Sequence, residues 1–67
     1  RGVGAALMRH VLDAARERGA RTLWLGVWEQ NAVARAFYAR WGFGEVGEHD
    51  FLLGGDVQRD LLLTRAL

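Results

Sequence analysis

An α/β architecture with the order helix, strand, helix, strand, strand is predicted by three observations. Apolar residues recur with helical spacing from Gly4 to Arg18, and a strand pattern that is apolar on both faces follows at Thr22–Trp28. The third is the continuous run Leu61-Leu62-Leu63, which comes after the glycine pair Gly54-Gly55. Strands that are apolar on both sides belong to sheets covered by helices, which argues against an open antiparallel meander.

In the first segment Leu7, Val11, Ala14 and Ala15 follow the i, i+4, i+7/i+8 spacing, with Arg9, Asp13, Arg16, Glu17 and Arg18 on the remaining faces. The basic last turn suits the negative end of the helix dipole, and Gly19 stands where a left-handed cap is needed. In the strand that follows, Leu23, Leu25 and Val27 alternate with Thr22, Trp24, Gly26 and Trp28. Trp24 and Trp28 share a face, where their indoles either pack under the helices or wall a ligand cleft; packing is the expectation.

Asn31 supplies an N-cap for a second helix that runs to about Arg40 or Trp41 and stops at Gly42. Val33, Phe37 and Trp41 lie on one stripe of it, and Ala34 and Tyr38 on the adjacent one. An extended stretch runs from about Glu45 to Leu53, Gly54-Gly55 with Asp56 makes a tight turn, and Val57 to Arg65 returns. The leucine run places this last strand centrally, between Thr22–Trp28 and Glu45–Leu53, whose Glu45 and Glu48 suit an edge.

Sixty-seven residues form one small unit with room for a single core, and without cysteine no disulfide or thiolate metal site can supplement it. A hydrophobic content of 51% rules out a disordered tail. The net charge of +1, from 9 basic and 8 acidic residues, provides no field for a row of nucleic-acid phosphates. No stretch is long enough to cross a bilayer and no signal pattern opens the chain, so no membrane partner and a cytoplasmic location are expected. The chain starts at Arg1, without an initiator Met and already inside a motif that calls for a preceding strand, so a fragment of a longer protein is expected.

Chemistry enters at the opening residues. Arg1-Gly2-Val3-Gly4-Ala5-Ala6 runs directly into a helix, and glycines at a helix start let backbone N–H groups face outward at the positive end of the dipole. That is a place to hold a phosphate. Downstream stands Asn31-Ala32-Val33-Ala34-Arg35-Ala36-Phe37-Tyr38-Ala39-Arg40-Trp41-Gly42-Phe43. This stretch and the Arg-x-x-Gly-x-Ala opening together resemble the GCN5-related N-acetyltransferase family.

The resemblance implies that residues 1–67 form the C-terminal half of the acyl-CoA N-acyltransferase fold, with acetyl-coenzyme A as co-substrate and an amine as acceptor. The pyrophosphate would sit on the loop of Arg1, Gly2, Val3, Gly4, Ala5 and Ala6, and Asn31 would cap its helix and lie beside the pantetheine arm. Tyr38 would be the general acid that protonates the departing thiolate. Its chemistry is suitable, since a thiol pKa of about 8.5 and a phenol pKa of about 10 make that transfer only mildly uphill. The general base would lie ahead of the glycine loop, outside this chain.

A finer likeness links Leu23–Asn31, His49–Gly54 and Gln58–Leu61 to the spermidine/spermine acetyltransferase branch found in bacteria, with Asp50, Asp56 or Asp60 as attractors for a polycation. His10 reads as a solvated face residue and His49 as structural, with a substrate-side role as its alternative. No metal site is expected. Without a parallel neighbour, Thr22–Trp28 exposes a hydrogen-bonding edge, which predicts a homo-oligomer. The competing expectation is a coenzyme A-binding or self-associating module without turnover.

Overall fold

A computed structural model describes residues 2–67. Helix α1 spans Gly2–Glu17, strand β1 Thr22–Trp28, helix α2 Ala32–Arg40, strand β2 Gly44–Leu53 and strand β3 Asp56–Ala66. The order of elements is the expected one. The three strands form one sheet in the order β1-β3-β2, so the last strand is central, and both of its pairings are antiparallel.

Gly54 and Gly55 have φ of 58° and 97°, the two successive left-handed positions that a two-residue hairpin turn requires. They bring Leu53 opposite Asp56, and pairing continues back to Gly44 opposite Thr64, with one bulge at Val46. Arg59 fastens this hairpin: it donates to Asp50 at 3.0 Å and lies 3.2 Å from Glu48. The hydrogen bond to Asp50, and then the field of Glu48, hold the guanidinium pKa above the ordinary arginine value.

Both helices end in the same motif. At the end of α1 Gly19, with φ of 82°, donates to the Arg16 carbonyl at 2.9 Å, and Ala20 donates to that of Ala15 at 3.0 Å. At the end of α2 Gly42, with φ of 85°, donates to Ala39, and Phe43 donates to Tyr38, both at 3.0 Å. These are Schellman caps, in which glycine accepts the left-handed conformation and the next residue folds back onto the helix.

The core joins Met8 and Leu12 of α1 to Val27, Phe43, Leu61 and Leu63, with Ala34, Phe37, Tyr38 and Trp41 packed against it. Both helices therefore lie on one side of the sheet, over the face that carries Leu25 opposite Leu63 and Val27 opposite Leu61.

Four expectations change. The glycine segment is not a loop leading into a helix, because α1 already begins at Gly2. Gly4 is useful as a helical residue: a Cβ there would stand 3.5 Å from the Phe37 ring, so its bare backbone lets α2 approach. The buried stripe of α1 is Met8 and Leu12, one position beyond Leu7 and Val11; Leu12 is 3% exposed and Leu7 62%. On α2, Val33 is 83% exposed and the inward stripe is Ala34, Phe37, Tyr38 and Trp41. Finally, β1 is covered on one face and not on both. Trp24 and Trp28 are 62% and 43% exposed on the side away from the helices, and Leu62 lies there too.

Candidate functional site

The two stretches that carried chemistry in the sequence meet at one cleft. It has a volume of about 360 Å³ and opens between the N-terminal half of α1 and α2, along β1. Gly4 and Met8 contribute from α1, Phe37 and Tyr38 from α2, and Leu23, Trp24 and Leu25 from β1, while Phe43 closes one end. Gly4 and Tyr38 thus stand on the same side of the sheet and face a common space.

Local folding determines where Tyr38 sits. The cap of α2 returns Phe43 toward the helix, and its ring meets the Tyr38 ring edge-on at 5.5 Å. Phe37 meets Tyr38 from the other side, also edge-on, at 5.4 Å. Such edge-to-face contacts are favoured by the ring quadrupoles, so the two phenylalanines fix the phenol ring. Phe37 is also the residue in contact with Gly4, which makes it the spacer between the opening turn and the phenol.

At the mouth of the cleft, the first-turn amides of a helix have no partner within the helix; here they are those of Gly2, Val3 and Gly4. No acidic residue occupies that turn, so nothing neutralises its partial positive charge. Ala5 and Ala6 lie further in, where the helical hydrogen-bond ladder takes over. Arg1 lies outside the described residues. The donors suit an anionic group, and the Met, Leu and Trp walls behind them suit an apolar arm, a combination that fits the pyrophosphate and pantetheine of coenzyme A.

Asn31 is the N-cap of α2, its side-chain oxygen accepting from the Ala34 N–H at 3.1 Å, and it is not among the residues that line the cleft. Arg35 donates to the Glu29 carbonyl at 2.9 Å and braces the turn ahead of α2. Arg40 lies in the last turn of α2. His10 is exposed on α1, while the His49 ring lies on Phe51, 4.5 Å between centroids. Among the described residues no three His, Asp or Glu side chains converge as a metal site would need.

One feature escaped the sequence. The part of Phe43 in holding Tyr38 was implicit in the Tyr-x-x-x-Gly-Phe spacing, since a Schellman cap puts the residue after its glycine against the third residue from the helix end. For Trp24 the less expected of the two alternatives holds, since it lines the cleft; alternation assigns a side chain to a face and says nothing of an edge.

Bare amides at a helix start, joined by an apolar cleft to a fixed phenol, define an α/β domain able to hold an anionic carrier with a long apolar arm. Residues 1–43 match the family model described as the acetyltransferase (GNAT) family. The chain belongs to this family. Over all 67 residues it is 46% identical to an uncharacterized N-acetyltransferase of Lactobacillus delbrueckii subsp. lactis and spans 39% of that protein. The crystal structure of the ribosomal-protein-S18-alanine N-acetyltransferase from Escherichia coli is similar over 97% of the chain and 43% of its own, with a TM-score of 0.81 and 31% identity. A GNAT family acetyltransferase from Elizabethkingia anophelis, with acetyl-CoA bound, shares the fold with a TM-score of 0.83 over 100% of this chain and 51% of its own, at 19% identity. The chain spans about two fifths of the curated relatives it matches over nearly its whole length. The part it corresponds to is the C-terminal one.

Proposed function

We propose that the protein to which this chain belongs transfers an acetyl group from acetyl-coenzyme A to a primary amine. The observation that carries this reading is that Gly4 and Tyr38 line one cleft on one side of the sheet. The amides of Gly2, Val3 and Gly4 hold the pyrophosphate, and the arm runs along the apolar wall of β1 toward Tyr38.

The neutral amine attacks the thioester carbonyl, and a carbon–nitrogen bond forms as the carbonyl becomes an oxyanion. Collapse of that intermediate breaks the carbon–sulfur bond, and the leaving thiolate takes the phenolic proton of Tyr38. The amine loses its own proton to a base outside this chain, and solvent returns a proton to Tyr38. Asn31 serves this arrangement by capping the helix that carries the phenol, and its contact with the pantetheine arm is part of the same reading. The finer reading of the acceptor as a polyamine is supported by the likeness of Leu23–Asn31 and His49–Gly54 to polyamine acetyltransferases.

Calorimetry with coenzyme A, followed by an acetylation assay on spermidine and propylamine, tests the reading. Micromolar binding together with acetylated product is the expected result. Binding without product would favour a coenzyme A-holding module, the second reading, which is supported by the free edge of β1 as a surface for self-association. Absence of binding would remove both.

A further inference from the structure

Phe43 closes one end of the cleft that holds Tyr38, a space of about 360 Å³ on the side of α2 that faces α1. The same residue lines a second cavity of about 400 Å³ on the other side of that helix, over β2 and β3. No other described residue is common to the two. Its ring is 7% exposed, so the two spaces meet at one buried side chain.

The second cavity follows from the pattern of α2. Phe37 and Tyr38 line the cleft on one flank, while Ala32, Ala36 and Ala39, at i, i+4 and i+7, line the other. Alanines leave open the volume that longer side chains would fill. Leu63, which is 6% exposed, completes the apolar lining, and the charged groups there are Arg35 and Glu45. Arg35 is already engaged by the Glu29 carbonyl.

Where the phenol of Tyr38 reaches the sulfur of a thioester, the acyl carbons bonded to that sulfur lie next to the phenol. The Phe43 ring meets the Tyr38 ring edge-on at 5.5 Å, so a chain that grows past the phenol runs into Phe43. Beyond that ring lies unfilled space. We infer that Phe43 sets the length of acyl chain that the donor can carry, stopping an acetyl-sized group at Tyr38 and shutting longer chains out of the second cavity. No bond of the reaction changes with chain length: the carbon–sulfur bond breaks, the carbon–nitrogen bond forms and the thiolate takes the Tyr38 proton whichever acyl group is carried.

The word donor rests on the acetyl-transfer reading, but the selection of chain length can be read from binding as well as from turnover. In the parent enzyme Phe43→Leu is expected to raise the ratio of kcat/KM for butyryl-coenzyme A to that for acetyl-coenzyme A about tenfold, the lower end of what a methylene decides in an apolar pocket. A loosened Tyr38 or a weaker fold lowers both values and leaves their ratio in place. Phe43→Met, with a flexible chain that can swing aside, carries the same test where the leucine variant does not fold. Adding Ala39→Leu, from an exposed position of α2 that lines the second cavity, is expected to return the ratio to its starting value. Calorimetry with the two thioesters is expected to show the same change of preference without turnover. A ratio unmoved by either Phe43 variant, or one that stays raised after Ala39→Leu, would overturn the assignment. A changed binding preference with no acylated product from any amine would uphold Phe43 as the length-setting residue and remove the transferase reading, so the two failures are distinguishable.

Discussion

The N–H of Phe43 donates to the carbonyl of Tyr38 at 3.0 Å, and the rings of the same two residues meet edge-on at 5.5 Å. One residue therefore both terminates α2 and holds the phenol, and the conformation that allows this belongs to Gly42 between them. Gly42→Ala would carry a Cβ at a φ of 85°, 3.1 Å from Arg65 Nε. The left-handed conformation alone costs a non-glycine residue about 1–2 kcal/mol. Urea unfolding of the variant is expected to show at least that loss, together with lower turnover in the parent enzyme; unchanged stability would contradict the cap.

Tyr38→Phe removes the hydroxyl and keeps the ring between Phe37 and Phe43. A lost general acid lowers kcat by about 10²–10⁴-fold, whereas binding of the carrier depends on amides elsewhere. Steady-state kinetics and calorimetry on the parent enzyme are expected to show a fall in kcat with an unchanged coenzyme A affinity. Equal loss of both would take the acid role away from Tyr38.

The register of α1 can be checked by a pair of truncations. Leu12→Ala, at a position 3% exposed, is expected to cost about 2–5 kcal/mol. Leu7→Ala, on the cleft side, is expected to cost less than about 1 kcal/mol by thermal melting. A reversed order would restore the stripe that the sequence spacing suggested.

Asn31→Ala removes the oxygen that accepts from the Ala34 N–H and is expected to cost about 1 kcal/mol. Asn31→Ser supplies another capping oxygen and is expected to restore most of that stability in the same melt. If serine recovers stability but coenzyme A affinity stays low, the amide also touches the carrier.

Along β1 the free edge carries no charged residue or proline, in contrast to the Glu45, Glu48 and Asp50 of β2. An unguarded edge pairs with other chains. Light scattering at micromolar concentration is expected to give a mass above the 7.5 kDa of one chain. A lasting monomer would show that the edge is not used.

The element order, the central place of the last strand, the Asn31 cap and three glycine turns were all legible, because each depends on local backbone chemistry. The facing of the side chains was less so. Leu7 and Met8 are both apolar, as are Val11 and Leu12, so periodicity allows two stripes and only the sheet beneath selects Met8 and Leu12. Val33 satisfies the helical spacing as well as Ala34 does, yet Ala34 packs against the core and Val33 faces outward. The exposure of Trp24 and Trp28 was not legible either, since apolar character shows what a residue prefers and not what is present to cover it. At the site, Gly4 and Tyr38 were named from the chain alone, but Phe37 as the spacer between them required the crossing of two helices.

The strand at the middle of the sheet is the last of its three strands in sequence. Within the described residues, 22–28 and 44–53 both find their ladder in residues 56–66. The hairpin of residues 44–66 closes locally, whereas the pairing of Leu25 with Leu63 closes a loop longer than half the chain, so residues 22–28 join the other two strands by a slower, long-range step. Removing residues 56–66 would therefore not trim a border: both of these pairings would be lost at once.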